Sequence, residues 1–171
     1  VNRIIVPALI LGMLSTGCGA AAENIAENIT EEAIEQEMES SGGNVDVDID
    51  EDGGYSVSVE GEDESGSFQS GTGATIPEEF PLPYPGGGTV VLSMVQTEGD
   101  QTASSATLQY GAGSFDDIVS FYDDHFANQD VQRTEVSGDS QSVSWYQEDG
   151  SLNVTVMKLG EEAMLTLAVN E

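Results

Sequence analysis

The chain has little of what reactive sites are usually built from. Its 171 residues include one cysteine, one histidine, one tryptophan and three basic side chains. Cys18 has no second cysteine with which to form an intramolecular disulfide. His125 stands alone, so neither a Cys/His zinc cluster nor a Cys–His nucleophilic pair with a spare cysteine can be assembled. No G-x-S-x-G motif is present. Arg3, Arg133 and Lys158 are too few and too scattered for the clustered cations that bind phosphates, which excludes nucleic acid as a partner. No apolar run is long enough to span a bilayer. The longest, 4–14, falls well short of the roughly 17–25 residues required.

That run has another use. Val1-Asn-Arg3 is a short basic start, Ile4 to Leu14 is apolar, and Ser15-Thr-Gly17 are small residues ahead of Cys18. This is the plan of a signal peptide. Val1 is what a literally translated GUG start codon gives, with a truncated basic region as the alternative. Ser15-Thr16-Gly17-Cys18 resembles the lipobox of bacterial lipoproteins, with Leu14 one place further back than the commonest pattern. The resemblance implies cleavage after Gly17 and a lipid on Cys18. Each buried acyl methylene contributes about 0.8 kcal/mol, so two or three chains hold a protein stably. An ordinary secretory signal with an incidental cysteine is the alternative. Gly19 carries no inner-membrane retention signal, should the cell have two membranes.

What is abundant is acid. All 32 Asp and Glu residues follow Cys18, and the net charge is −29. Loss of Arg3 with the leader makes the mature chain one unit more negative. Anionic headgroups repel such a chain, which leaves the lipid as its hold on the membrane. The balance suits solubility, cation association or a saline setting. An acid-rich, lysine-poor composition resembles that of halophile proteins. A merely acidic extracytoplasmic protein fits equally well.

Along the chain, 20–39 reads as a helix with Ala22, Ile25, Ala26, Ile29 and Ala33 on one side. Its glutamates stack at i,i+4 with no lysine between them. It is expected to act as a solvated stalk, with a partner-binding helix as the alternative. Asn44-Val-Asp-Val-Asp-Ile-Asp50 and Tyr55-Ser-Val-Ser-Val-Glu60 alternate with period two and predict a β-hairpin. Val45, Val47 and Ile49 should face Val59, Val57 and Tyr55. Gly53 is expected at positive φ in a bulged turn. The span 61–75, rich in Gly, Ser and acid, reads as a linker in which Phe68 marks a short strand. Pro77, Pro81, Pro83 and Pro85 then make a stiff lead-in.

The remainder predicts strands over 89–97 and 103–110 and a helix from a Ser114 cap to about Asn128. Asp117 completes its capping box, and Phe115, Ile118, Val119, Tyr122 and Phe126 form its core stripe. A strand over 131–136 and a three-strand meander follow. Asp149-Gly150 fits a two-residue type I′ turn, pairing Trp145 with Val154 and Val143 with Val156. Gly160-Glu161 fits a type II′ turn, pairing Leu152 with Val169, Val154 with Leu167 and Val156 with Leu165.

This layout resembles an uncharacterised acidic domain of bacterial lipoproteins and secreted proteins. The matching elements are the Glu-rich 20–39, the Asp/Val hairpin 45–59, Pro77-Glu-Glu-Phe-Pro81 through Tyr84-Pro85-Gly86, and Phe121-Tyr122 in the helix. Such domains commonly carry Gly-Trp after the helix, where this chain has Asp130-Val131. The resemblance covers most of the mature chain and implies no activity.

Among sites, Asp48-x-Asp50-x-Asp52-Gly53 matches the first six positions of a calcium loop. Position twelve should be a bidentate Glu but is Val59, with Glu60 one place late. Strand alternation alone also produces this aspartate spacing. His125 is expected to be exposed or half-packed at the edge of the helix stripe. Trp145, Tyr146, Tyr84 and Tyr110 are expected to pack, with a ligand surface as the alternative. Asn28-Ile-Thr30 and Asn153-Val-Thr155 match glycosylation acceptors.

The chain is therefore expected to be α+β: an acidic N-terminal helix, a β-hairpin module, and a C-terminal antiparallel sheet packed against one helix. The expected division is a signal peptide over 1–17, lipidated Cys18 with the acidic stalk over 18–43, hairpin and linker over 44–75, and an α+β domain over 76–171. The expected function is a non-enzymatic binding module, lipid-anchored on the outer face of the cell membrane. It needs no cofactor and has a cell-envelope protein as its partner. A calcium- or cation-binding surface protein and a cell-envelope hydrolase are the rival readings, the former through Asp48, Asp50 and Asp52.

Overall fold

A computed structural model describes residues 44–49, 53–61, 64–71, 73–78, 80–138 and 141–171. Five strands come first: β1 (Asn44–Ile49), β2 (Tyr55–Glu60), β3 (Glu64–Ser70), β4 (Thr89–Glu98) and β5 (Gln101–Tyr110). Helix α1 (Phe115–Phe126) follows, then β6 (Gln132–Val136), β7 (Ser142–Tyr146), β8 (Leu152–Leu159) and β9 (Glu162–Asn170). All nine strands form one antiparallel sheet in the order β1-β2-β3-β4-β5-β9-β8-β7-β6. The chain meanders to β5 and crosses to the far edge through α1. It then meanders back until β9 lies beside β5.

Registers of the local hairpins follow from loop parity. Val45, Val47 and Ile49 face Val59, Val57 and Tyr55, and Gly53 has φ +81°. Trp145 faces Val154, and Val154 faces Leu167. The 147–152 loop differs from the two-residue turn expected at Asp149-Gly150. Its turn bond runs from Gly150 N–H to Gln147 O at 3.1 Å, and Gln147 N–H donates to Leu152 O at 3.1 Å. Asp149 accepts from the Ser151 amide and hydroxyl, which holds its carboxyl below the usual range. Moving the closure from 148/151 to 147/152 leaves the opposed pairs unchanged, so the predicted register survives.

The apolar side of the sheet changes over between β4 and β5. One row of facing residues runs Asp48, Ser56, Gln69, Ser93, Ala106, Leu167, Val154, Trp145, Arg133. It is polar through β4 and apolar from β5 to β7. The neighbouring row faces the other way and runs Val47, Val57, Phe68, Met94, Ser105, Ala168, Asn153, Tyr146, Gln132. It is apolar through β4 and mostly polar beyond. A bulge at Val91 contributes, since Val90 pairs with Leu108 while Leu92 pairs with Thr107. Two residues of equal parity thereby point to opposite sides.

The main core lies under α1. Phe115, Ile118, Tyr122 and Phe126 pack on Leu108, Val143, Trp145, Val154, Val156, Leu165 and Leu167, all buried. Fully burying such side chains contributes about 1.5–3 kcal/mol each. The proline lead-in lies on the same side. Leu82 is buried, the Tyr122 hydroxyl donates to Pro83 O at 2.9 Å, and the Tyr110 hydroxyl donates to Pro85 O at 2.7 Å.

Three expectations are corrected. The α+β arrangement of separate hairpin module and C-terminal sheet is in fact one continuous sheet, because β3 pairs with β4 along its whole length. The short strand expected at Phe68 within the linker is β3, but it runs over seven residues and is paired on both flanks. Its sequence, Glu-Ser-Gly-Ser-Phe-Gln-Ser, has one large apolar side chain, so no alternation advertised a seven-residue strand. Ser114 occupies the cap position but makes no side-chain cap bond; its hydroxyl donates back to Gly111 O at 2.8 Å. The acidic helix expected over 20–39 lies outside the described residues, among which α1 is the sole α-helix.

Candidate functional site

Cys18, Asp50 and Asp52 lie outside the described residues. Asp48 is described and belongs to β1, opposite Ser56 and exposed beside Asp46. Position twelve of the calcium pattern, Val59, pairs with Val45 and points to the opposite side from Asp48. Glu60 shares the side of Asp48 but pairs with Asn44, four residues along β1. At about 3.3 Å per residue it is about 13 Å away, too far to share a cation. Among the described residues, no three acidic, His or Cys side chains are grouped to hold a metal ion.

The aromatic candidates divide. Trp145 is 2% exposed and packs against Tyr122 and Phe126 at centroid distances of 5.6 and 6.4 Å. Tyr110 and Tyr122 are buried. Tyr84 is 44% exposed. The Tyr146 hydroxyl donates to Gln132 Oε1 at 2.9 Å on the side away from α1. His125 is half-buried, 4.8 Å from the Phe126 ring in an edge contact. Arg133 donates to Asp123 at 2.8 Å and to Glu135 at 3.0 Å, and these hydrogen bonds to Glu135 and Asp123 raise its pKa. Lys158 Nζ lies 5.8 Å from the Phe115 ring centroid. Both described basic groups are thereby engaged on the α1 side.

An open polar cavity of about 170 Å³ lies between β2, β3 and the 73–75 segment. Gln69 Oε1 accepts from the Thr75 amide and hydroxyl there, so the most adaptable polar group of the cavity is already bonded to its own wall.

The side of β5–β9 away from α1 carries a row of hydroxyls: Thr107, Thr166, Thr155, Ser144 and Thr134, opposed in that order. Ser144 and Thr155 hydroxyls are 2.9 Å apart. The next row is Val136, Ser142, Met157 and Met164, with Leu159 beyond it on the same side. Val136, Met157 and Leu159 are 55%, 40% and 44% exposed, an apolar corner beside a hydroxyl ladder. The sequence carries a signal for this corner. In β8, Leu152, Val154 and Val156 alternate inward, and the apolar residues then continue out of phase at Met157 and Leu159.

No family model matches this chain, and no curated protein and no solved structure matches it.

Proposed function

We propose that this protein is a lipid-anchored binding module of the cell envelope that engages a protein partner through the outer side of β6–β9. One observation carries the binding reading: Val136, Met157 and Leu159 are exposed together on a side of the sheet that α1 leaves uncovered. Exposed large apolar side chains gathered at one place and bordered by polar ones mark contact surfaces. The hydroxyl row beside them supplies the polar rim that such contacts use. The anchoring reading rests on 1–18: basic start, apolar run, small residues and Cys18.

Two experiments test it. Metabolic labelling with a fatty acid should mark the protein, and Cys18→Ser should abolish the label; label retained in the variant rejects the anchor. A photo-crosslinking residue at Met157 in living cells should give a discrete protein adduct that Val136→Asp with Leu159→Asp removes. The same probe at Asp116 on the α1 surface should give no such adduct. No adduct at Met157, or the same adduct from both positions, rejects the surface.

A further inference from the structure

We propose that β6 is a docking edge for a second copy of this chain, the two β6 strands pairing antiparallel about Thr134 so that the sheet continues from one copy into the other. β6 is the last strand on its side of the sheet, and all of its residues are exposed. At the opposite edge β1 buries Val45 and Val47. β6 pairs with β7 without a register shift and contains neither proline nor lysine, so it has few of the usual defences of an edge. Its two charges, Arg133 and Glu135, cancel, in a chain of net charge −29.

The direction of its backbone groups follows from the neighbouring strands. Gln147 N–H donates to Leu152 O, and Lys158 N–H donates to Gln141 O. The odd-numbered residues of β7 therefore direct their backbone groups at β8, and Ser142, Ser144 and Tyr146 direct theirs at β6. The partners of these three, Val136, Thr134 and Gln132, spend theirs on β7. Arg133 and Glu135 thus point N–H and C=O away from the sheet, where a further strand would lie. An antiparallel partner must meet them with outward residues of its own. Centring two β6 strands on Thr134 does so over the whole strand, with each Arg133 opposite the other copy's Glu135. Each such pair exchanges both N–H···O bonds and sets guanidinium beside carboxylate. A centre at Arg133 or at Glu135 sets like charges face to face instead, so charge selects the register. On the side away from α1 the two Thr134 hydroxyls meet and join the hydroxyl rows of the two copies. Helix α1 packs over β8, so the two helices lie five strand spacings apart, about 24 Å, and clear one another. The result is a closed, two-fold pair in which the same edge serves both copies. It uses the edge of the sheet and is independent of any contact on the outer side of β6–β9.

The test uses the full chain with Cys18→Ser, so that an introduced cysteine is its single thiol. In about 0.15 M sodium chloride a Debye length of about 8 Å screens distant carboxylates more than touching ion pairs. Thr134→Cys should give a disulfide-linked dimer on mild oxidation, because Cα atoms opposed in such a pair lie about 4.5 Å apart, within the roughly 4.4–6.8 Å that a disulfide spans. Gln132→Cys should give little, since its two copies lie about 13 Å apart along the strands. Arg133→Glu should cut the Thr134→Cys dimer roughly tenfold or more, and adding Glu135→Arg should restore it. No dimer at Thr134→Cys, or as much at Gln132→Cys, overturns the proposal. A yield that Arg133→Glu leaves unchanged, or that Glu135→Arg fails to restore, overturns it too. Leu159→Asp should leave the dimer intact; its loss would assign the association to the apolar corner and has the same consequence.

Discussion

Trp145 Nε1 donates to Asp123 Oδ1 at 3.1 Å, and the same oxygen accepts from Arg133 Nε at 2.8 Å. One carboxylate oxygen thus joins α1 to β7 and β6, while the indole fills the core beside Tyr122 and Phe126. Trp145→Ala is expected to cost about 3–5 kcal/mol through the cavity it leaves. Asp123→Ala is expected to cost about 1–2 kcal/mol, mainly from the unpaired indole N–H, because the exposed ion pair contributes little. Denaturant melts should rank Trp145→Ala below Asp123→Ala, with Asp123→Asn nearest the parent. An unchanged midpoint for Asp123→Ala would remove the bridge from the account.

Two glycines are required by close approach. A Cβ on Gly71 would lie 2.8 Å from Gly54 Cα, and Gly71 has φ +86°. A Cβ on Gly88 would lie 2.5 Å from the Tyr110 ring, whose hydroxyl is held by Pro85 O. Gly71→Ala and Gly88→Ala are each expected to cost about 1–3 kcal/mol. Gly86→Ala, with nothing within 4 Å of the added carbon, should be near neutral. Thermal melts of the three variants check the ranking, and equal losses at Gly86 and Gly88 would contradict it.

Stability should fall in alkali through the buried tyrosines. Burial, and then the charge of Tyr84, pushes the Tyr110 phenol up to about 12 from an ordinary value of 10.0. Burial, and then Tyr110, raises Tyr122 as well. The folded state favours the neutral phenols. Their contribution is therefore complete below about pH 10 and is lost as pH rises through about 12. The melting temperature should hold steady to about pH 9.5 and then drop. Tyr110→Phe should flatten part of that drop while lowering the neutral-pH melting temperature slightly, since Pro85 O loses its donor. A parent curve that is flat to pH 12 would contradict the assignment.

Salt should stabilise. Thirty-two acidic residues face three basic ones, and of the latter Arg133 is shared between Asp123 and Glu135. Folding draws the unpaired carboxylates together, and repulsion opposes the compact state. The Debye length falls from about 10 Å at 0.1 M to about 3 Å at 1 M. The melting temperature, followed by circular dichroism, should rise between about 0.05 M and about 1 M sodium chloride. Millimolar calcium should add little beyond magnesium. A flat or falling curve would reject the repulsion argument, and stabilisation by micromolar calcium alone would restore Asp48, Asp50 and Asp52 as a site.

The sequence by itself determined the local hairpins. Val45 against Val59, Trp145 against Val154 and Val154 against Leu167 follow because period-two strands joined by short loops admit one parity, and slipping by one residue exposes every apolar side chain. Parity is robust enough that the 147–152 loop kept its pairs with a different turn. The inward stripe of α1 was equally legible, since Phe115, Ile118, Tyr122 and Phe126 repeat with helical spacing. Tertiary structure alone decided that β3 pairs with β4, that β9 returns to β5, and that the apolar side changes over between β4 and β5. Those pairings join residues far apart in the chain, and no local period encodes which strand will be a neighbour. A Ser- and Gly-rich strand such as β3 is stable only because partners on both flanks satisfy its backbone, and that information resides in β2 and β4. The apolar corner at Val136, Met157 and Leu159 has the same origin: three residues from two strands become one surface only when β6 and β8 are placed on either side of β7.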